Sequence, residues 1–119
     1  MGENNSVTDL SFLKSFTGDD MERMVKYINN FLSMGPEKVA GMESALVERN
    51  YEELRGAAHK LKPQLSYMGI NSIKEDIQNI EDFADEEKNL DQLPALVSKV
   101  SSVCRQAFAE LEAFVKSAG

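Results

Sequence analysis

Apolar residues recur every three or four positions along most of the chain, which is the spacing of helices with one buried face. No stretch keeps the strict alternation of apolar and polar residues that marks a half-buried strand. The connections between the predicted helices are two to five residues long, and such short connections favour antiparallel neighbours. We therefore predict an all-α protein, an antiparallel up-down four-helix bundle with one or two additional helices at its N-terminus.

The bounds of the helices are predicted from capping residues and from glycine and proline. Thr8 is the expected cap of the first helix, Gly35 the end of the second, and Pro36 the first residue of the third. Asn50 is the expected stop of the third helix. The predicted helices are 8–16, 19–35, 36–50, 51–69, a segment capped by Asn71 or Ser72 that ends before a polar turn near Asn89, and 91–116.

The apolar positions of these helices predict the core, and the acids of the fifth helix predict a solvent-facing side. The core positions with the clearest spacing are Leu10, Leu13, Phe16, Met21, Met24, Val25, Ile28, Phe31, Leu32, Val39, Met42, Leu46, Tyr51, Leu54, Ala58, Leu61, Leu65, Met68, Ile73, Ile77, Ile80, Ala84, Leu93, Val97, Val100, Cys104, Ala107, Leu111 and Phe114. The predicted outer acids are Glu75, Asp76, Glu81, Asp82 and Asp85.

Length and composition narrow the kinds of protein that this chain can be. A length of 119 residues with 42% hydrophobic residues suits one domain, which we place at 8–117 after a flexible start at 1–7. One cysteine and one histidine exclude an internal disulfide and the common multi-ligand metal sites, so we expect no metal. A net charge of −7 argues against nucleic acid, and no apolar run is long enough to span a membrane. We expect a soluble, cytoplasmic monomer.

His59 is the only side chain whose ordinary chemistry suits proton or group transfer near neutral pH. On a helix whose seam runs from Tyr51 to Met68, His59 lies roughly 130° from the centre of that seam. The imidazole is therefore expected to face solvent.

Basic residues surround His59 in an otherwise acidic chain. Arg55, Lys60 and Lys62 fall in a stretch, 54–73, that contains no acid, and they form a positive face suited to hold an anion near the ring. Ser66 lies on the same face.

Two residues on this face oppose helix formation. Gly56 costs about 1 kcal/mol relative to alanine, and Pro63 about 3 kcal/mol. Gly56 is expected to clear space for the ring, and Pro63 to bend the helix or expose the carbonyl of His59. Such local violations concentrate at functional sites.

An exposed imidazole beside a cation can attack phosphorus and form a phosphoramidate that passes the phosphoryl group onward. The chain has no glycine-rich nucleotide-binding loop. We therefore expect a stoichiometric phosphoryl carrier, not a kinase or another enzyme.

The segment Ala58-His59-Lys60-Leu61-Lys62-Pro63-Gln64-Leu65-Ser66-Tyr67-Met68-Gly69 resembles the signature of histidine-containing phosphotransfer (HPt) domains. His59, Leu61, Lys62 and Gly69 match that signature, whereas Pro63 stands where the family usually has glycine. The resemblance implies a helical bundle in which the histidine is exposed midway along one helix.

The resemblance also implies roles and partners. His59 would be the phosphoacceptor and Lys62 would steady the phosphate, while Gln78 and Glu81 are the candidates for a polar contact to the histidine from the next helix. The partners would be receiver domains of response regulators and hybrid sensor histidine kinases. The magnesium would belong to the receiver, so no cofactor is expected here. Residues expected to dock the partner are Arg55, Gly56, Lys60, Pro63 and Ser66.

Two other interpretations stay open at this point. A helical docking or adaptor module without chemistry would make His59 incidental. A metal- or haem-binding bundle would use His59 with a methionine, but Met68 lies on the opposite side of its own helix.

Overall fold

The computed structural model describes residues 6–118 and contains five α-helices in that range. They are α1 (Ser11–Phe16), α2 (Met21–Glu48), α3 (Tyr51–Tyr67), α4 (Lys74–Glu86) and α5 (Leu93–Ala118), with a short 3₁₀ turn at Leu90–Gln92. The described part of the chain has no strand, which confirms the all-α prediction. Within the same range, none of the helices is both long enough and apolar enough to cross a membrane.

The four long helices form a bundle around one core. α2 packs against α3 and α5, and α4 packs against the same two helices. The predicted core positions of α3, α4 and α5 are buried from Leu54 to Met68, from Ile73 to Ala84 and from Leu93 to Leu111. The helical bundle is therefore confirmed, while the alternation of helix direction remains a prediction from the short connections.

The predicted break at Gly35 and Pro36 is wrong, because α2 runs through both residues without interruption. Gly35 is buried, and a Cβ there would lie 2.7 Å from the Phe108 ring of α5. The glycine thus lets two helices approach closely and does not end one. Pro36 is exposed, so the proline lies on the solvent side of α2. Packing of the long helix against α3 and α5 outweighs the local cost.

The turn between α2 and α3 ends one helix and starts the next in two residues. Arg49 adopts the left-handed conformation with φ of 58° and closes α2. Asn50, predicted as a stop, is instead the first cap of α3, where its side chain accepts a hydrogen bond from the Glu53 amide at 3.1 Å. This cap fixes where α3 starts and therefore which of its residues face out.

The other predicted caps are wrong. α1 begins at Ser11, not after Thr8, and Asp9 accepts the Ser11 amide at 3.0 Å. α4 begins at Lys74, and neither Asn71 nor Ser72 caps it. The amide and hydroxyl of Thr8 instead donate to Glu110 of α5.

A single carboxylate on α5 holds the segment before α1. Glu110 accepts hydrogen bonds from the Ser6 hydroxyl, the Val7 amide and both donors of Thr8, at 2.7–3.1 Å. Of the predicted flexible start at 1–7, residues 1–5 lie outside the described residues. Ser6 and Val7 are described, and both bond to Glu110. Partial desolvation raises the pKa of Glu110, but these hydrogen bonds outweigh it and bring the pKa to about 2.

The Glu110 contacts predict a specific loss of stability in acid. The folded pKa is depressed, so the stabilisation is present above the ordinary value of 4.5 and is lost as pH falls from there toward about 2. Glu110→Gln is expected to lower the free energy of unfolding near neutral pH by about 1 kcal/mol, a figure discounted because solvent reaches the carboxylate. Urea titrations across this pH range should show wild type and variant converging in acid. The matched control is Glu112→Gln, an exposed glutamate on the same helix; equal pH dependence of wild type and Glu110→Gln would contradict the assignment.

Four aromatic rings gather where α1 meets the C-terminal end of α3. Tyr67 lies 5.8 Å from both Phe12 and Phe16 and 6.4 Å from Tyr27, measured between ring centroids. The sequence predicts that Phe16 and Met21 are buried, but they are 46% and 47% exposed. α1 is therefore held to the bundle by these rings at the surface and by the fully buried side chain of Leu13 in the core.

Gly69 follows α3 in a left-handed conformation with φ of 66°. A Cβ at this position would overlap the backbone carbonyl of Asp9, whose amide donates to the Met68 carbonyl at 3.1 Å. Both the backbone angle and the close approach require glycine. Gly69 thus seats the segment before α1 against the end of α3.

Candidate functional site

His59 projects from the middle of α3 into solvent. The flanking seam residues Ala58 and Leu61 are fully buried, which turns the intervening positions outward. The His59 side chain is 61% exposed, so the predicted exposure is confirmed. A partner can therefore reach the ring without opening the bundle.

The next helix supplies the group that orients the ring. Glu81 Oε2 on α4 lies 2.8 Å from His59 Nδ1. A carboxylate can only accept, so Nδ1 carries the proton and donates it. In the neutral imidazole the lone pair is then on Nε2, the other ring nitrogen. Of the two candidates for this contact, the structure places Glu81 at the histidine and Gln78 elsewhere.

Lys62, one turn after His59, binds the same carboxylate. Its Nζ lies 2.9 Å from Glu81 Oε1 and 3.0 Å from Gln78 Oε1. The two oxygens of Glu81 thus serve two different donors, the imidazole and the ammonium. Gln78 contacts Lys62, not His59, and the amide nitrogen of Gln78 donates to Asp82 Oδ1 at 3.0 Å.

Helical spacing explains why these groups meet. His59 and Lys62 are separated by one turn of α3, and Gln78, Glu81 and Asp82 stand at positions i, i+3 and i+4 of α4. Because α3 and α4 pack side by side, the two polar rows face each other along the edge of their contact. Polar side chains along this edge form one connected network.

Glu81 remains ionised in this setting. Partial burial raises its pKa, but hydrogen bonds and charges from Lys62 and His59 outweigh the desolvation and hold the pKa below 4.5. The side chain is only 15% exposed, so the carboxylate acts at close range with little solvent screening. A fixed negative charge therefore lies against the Nδ1 side of the ring.

The prediction of a purely outer acidic face on α4 is wrong for part of that face. Glu81 points to α3, and Asp76 forms a 3.0 Å ion pair with Lys99 of α5. Asp85 lies 3.7 Å from Arg55 at the surface. The positive face predicted on α3 is therefore partly balanced by α4. Packing of the two helices decides this balance, and α3 alone does not reveal it.

The remaining predicted docking residues lie on α3 on either side of His59, with one correction. α3 continues through Pro63 to Tyr67, and the bend or exposed His59 carbonyl expected there stays a prediction. Gly56 does not clear space for the ring, because a Cβ there would meet no atom within 4 Å. Gly56 lines an open groove of about 430 Å³ between α2 and α3, together with Lys60. Pro63 and Ser66 are exposed beyond the histidine.

Other reactive groups are not placed for chemistry. Cys104 is buried in α5, and burial raises the pKa of its thiol to about 12. Among residues 6–118, no cluster of three or more histidine, cysteine or acidic side chains is arranged to hold a metal ion. Asp82 and Asp85 contribute polar contacts beside the site and were predicted only as outer acids. Their helical spacing from Gln78 and Glu81 is the signal in the sequence that could have identified them.

Comparison with known proteins identifies the family of this chain. A family model described as "Hpt domain" matches residues 26–114, which include α3, α4 and most of α2 and α5. Searches among curated proteins and solved structures gave no match. The matched range covers most of the chain and contains the histidine, the lysine and the glutamate described here. The chain therefore belongs to the Hpt domain family.

Proposed function

We propose that His59 is the phosphoacceptor of this domain, taking a phosphoryl group on Nε2 and giving it to a second protein. Membership of the Hpt family makes the chain a phosphocarrier of two-component phosphorelays. In these phosphorelays, Hpt domains interact with receiver domains. The observation that carries the proposal is the 2.8 Å contact between His59 Nδ1 and Glu81 on an otherwise exposed ring.

The transfer follows from that geometry. The Nε2 lone pair attacks the phosphorus of a receiver's aspartyl phosphate, and the bond from phosphorus to the aspartate oxygen breaks. The aspartate leaves as a carboxylate with the electron pair, and the ring, still protonated at Nδ1, becomes cationic. Glu81 opposes this charge at close range. In the onward step an aspartate of a second receiver attacks, and the electron pair returns to Nε2.

Lys62 is proposed to steady the phosphoryl oxygens. Its ammonium has three donors, of which Glu81 and Gln78 accept two. The third donor is the one we assign to phosphate. Arg55, Lys60, Pro63 and Ser66, which lie on α3 on either side of the ring, are proposed to contact the receiver.

Partners are proposed to be receiver domains of response regulators and of hybrid sensor histidine kinases, with this chain acting as a monomer. The magnesium needed for aspartate phosphorylation would be held by the receiver, with none bound here. The carrier would take part stoichiometrically, since each molecule holds one phosphoryl group on one imidazole.

The direct test is transfer from a receiver charged with radiolabelled acetyl phosphate. We expect label on this chain that is stable in base and labile in acid, as phosphoramidates are, and mass spectrometry should place it on the peptide containing His59. Label that is stable in acid, or that lies on another peptide, would contradict the proposal. No label from a broad panel of charged receivers and sensor kinases would do the same.

A further inference from the structure

Lys62 has a long, flexible side chain, yet in this structure its ammonium is fixed on one side by Gln78. The lysine ammonium sits at the end of a flexible four-carbon chain, so one ion pair to Glu81 leaves the position of the ammonium loosely defined. The second contact, 3.0 Å from Nζ to Gln78 Oε1, restricts the ammonium to the edge between α3 and α4.

The orientation of the Gln78 amide is set chemically at both of its ends. Asp82 Oδ1 only accepts, and it lies 3.0 Å from Gln78 Nε2. Lys62 Nζ only donates, so the oxygen of the amide must turn toward it. An amide assigned the other way would place two donors against each other at one end and two acceptors at the other.

Gln78 and Asp82 thus extend the network beyond the groups that meet the reacting atoms. Gln78 is half-buried and Asp82 is exposed, and Gln78 bonds Lys62 and Asp82 whereas His59 Nδ1 bonds Glu81. Resting on the function proposed for His59 and Lys62, we infer that Gln78 is a positioning residue that aims the Lys62 ammonium at the phosphoryl group during transfer.

The inference predicts an effect on the transfer step and not on receiver binding. Gln78→Leu removes the amide oxygen and nitrogen and leaves a shorter, branched apolar side chain. We expect the transfer rate at saturating phosphorylated receiver to fall about tenfold, the size expected for one hydrogen bond to a charged group. The receiver concentration that gives half of the maximal rate should stay within about twofold of wild type.

A double-mutant cycle separates positioning from a general structural role. If Gln78 acts through Lys62, then Gln78→Leu should slow the wild type but have no further effect on Lys62→Met. The matched control is Gln92→Leu, the same substitution at an exposed position of the 3₁₀ turn, which should transfer at the wild-type rate. Melting temperatures of all variants should be compared to confirm folding.

Three results would overturn the inference. The first is a wild-type transfer rate for Gln78→Leu, and the second is a change only in the receiver concentration that gives half of the maximal rate. The third is independent, multiplying effects of the two substitutions in the double mutant. Each of these leaves His59 phosphorylation intact. Label that persists without His59 would instead refute the proposed function, so the two failures are distinguishable.

Discussion

Replacing His59 with glutamine is expected to abolish phosphate uptake from charged receivers. The chain contains one histidine, so no other imidazole is available to take the phosphoryl group. Glutamine has no nucleophilic nitrogen, because its amide lone pair is delocalised, and it cannot form the phosphoramidate. The measurement is radiolabel retained on the variant after incubation with a phosphorylated receiver that labels the wild type.

The His59→Gln variant is also expected to fold normally, since the side chain is exposed and its amide can still donate to Glu81. The circular dichroism spectrum should match that of wild type. The free energy of unfolding should change by no more than about 0.5 kcal/mol, the usual range for a surface substitution. Acid-labile, base-stable label on this variant would exclude His59 as the acceptor. A collapse of helicity would show instead that the ring supports the bundle.

Replacing Glu81 with alanine is expected to slow transfer about 10–100-fold, by analogy with the loss when the carboxylate partner of a metal-bound histidine is removed. Without the acceptor at Nδ1, the imidazole divides between two tautomers and loses its fixed orientation. The positive charge that develops on the ring also loses its partner. Single-turnover transfer at saturating receiver is the measurement.

Glu81→Ala also has a spectroscopic consequence that a purely structural role would not produce. A proton–nitrogen correlation spectrum of wild type should show the Nδ1-protonated tautomer of His59, and that of the variant a mixture. Glu86→Ala, in the same helix but paired with Lys88 at the surface, is the matched control. Wild-type transfer by Glu81→Ala, with an unchanged tautomer, would rule out the orienting role.

The sequence predicts the helices of this protein well where one apolar face has a single, regular spacing. The seam from Leu54 to Met68 and the isoleucines of α4 are buried as expected. The break at Gly35 and Pro36 fails for a different reason. Local propensity identifies both residues as helix breakers, but the Phe108 ring that makes Gly35 useful lies on α5, more than seventy residues later.

The candidate site is predictable in part. The angle of His59 from the apolar seam of its own helix is sufficient to predict exposure. The choice between Gln78 and Glu81 cannot be predicted in this way, because it depends on the position and rotation of α4 relative to α3 after the connecting turn. The contacts of Glu110 lie beyond reach for the same reason, since they join residues 102–104 positions apart.

The ring cluster at the end of α3 gives this protein an optical signal of its own. The chain has no tryptophan and three tyrosines, so ultraviolet-excited emission arises from tyrosine. Tyr27 and Tyr67, stacked 6.4 Å apart beside the phenylalanines of α1, supply two of those three emitters. Movement of α1 away from the bundle would change their surroundings and therefore the quantum yield. Unlabelled protein can thus report, in real time, when that corner of the molecule opens or is covered.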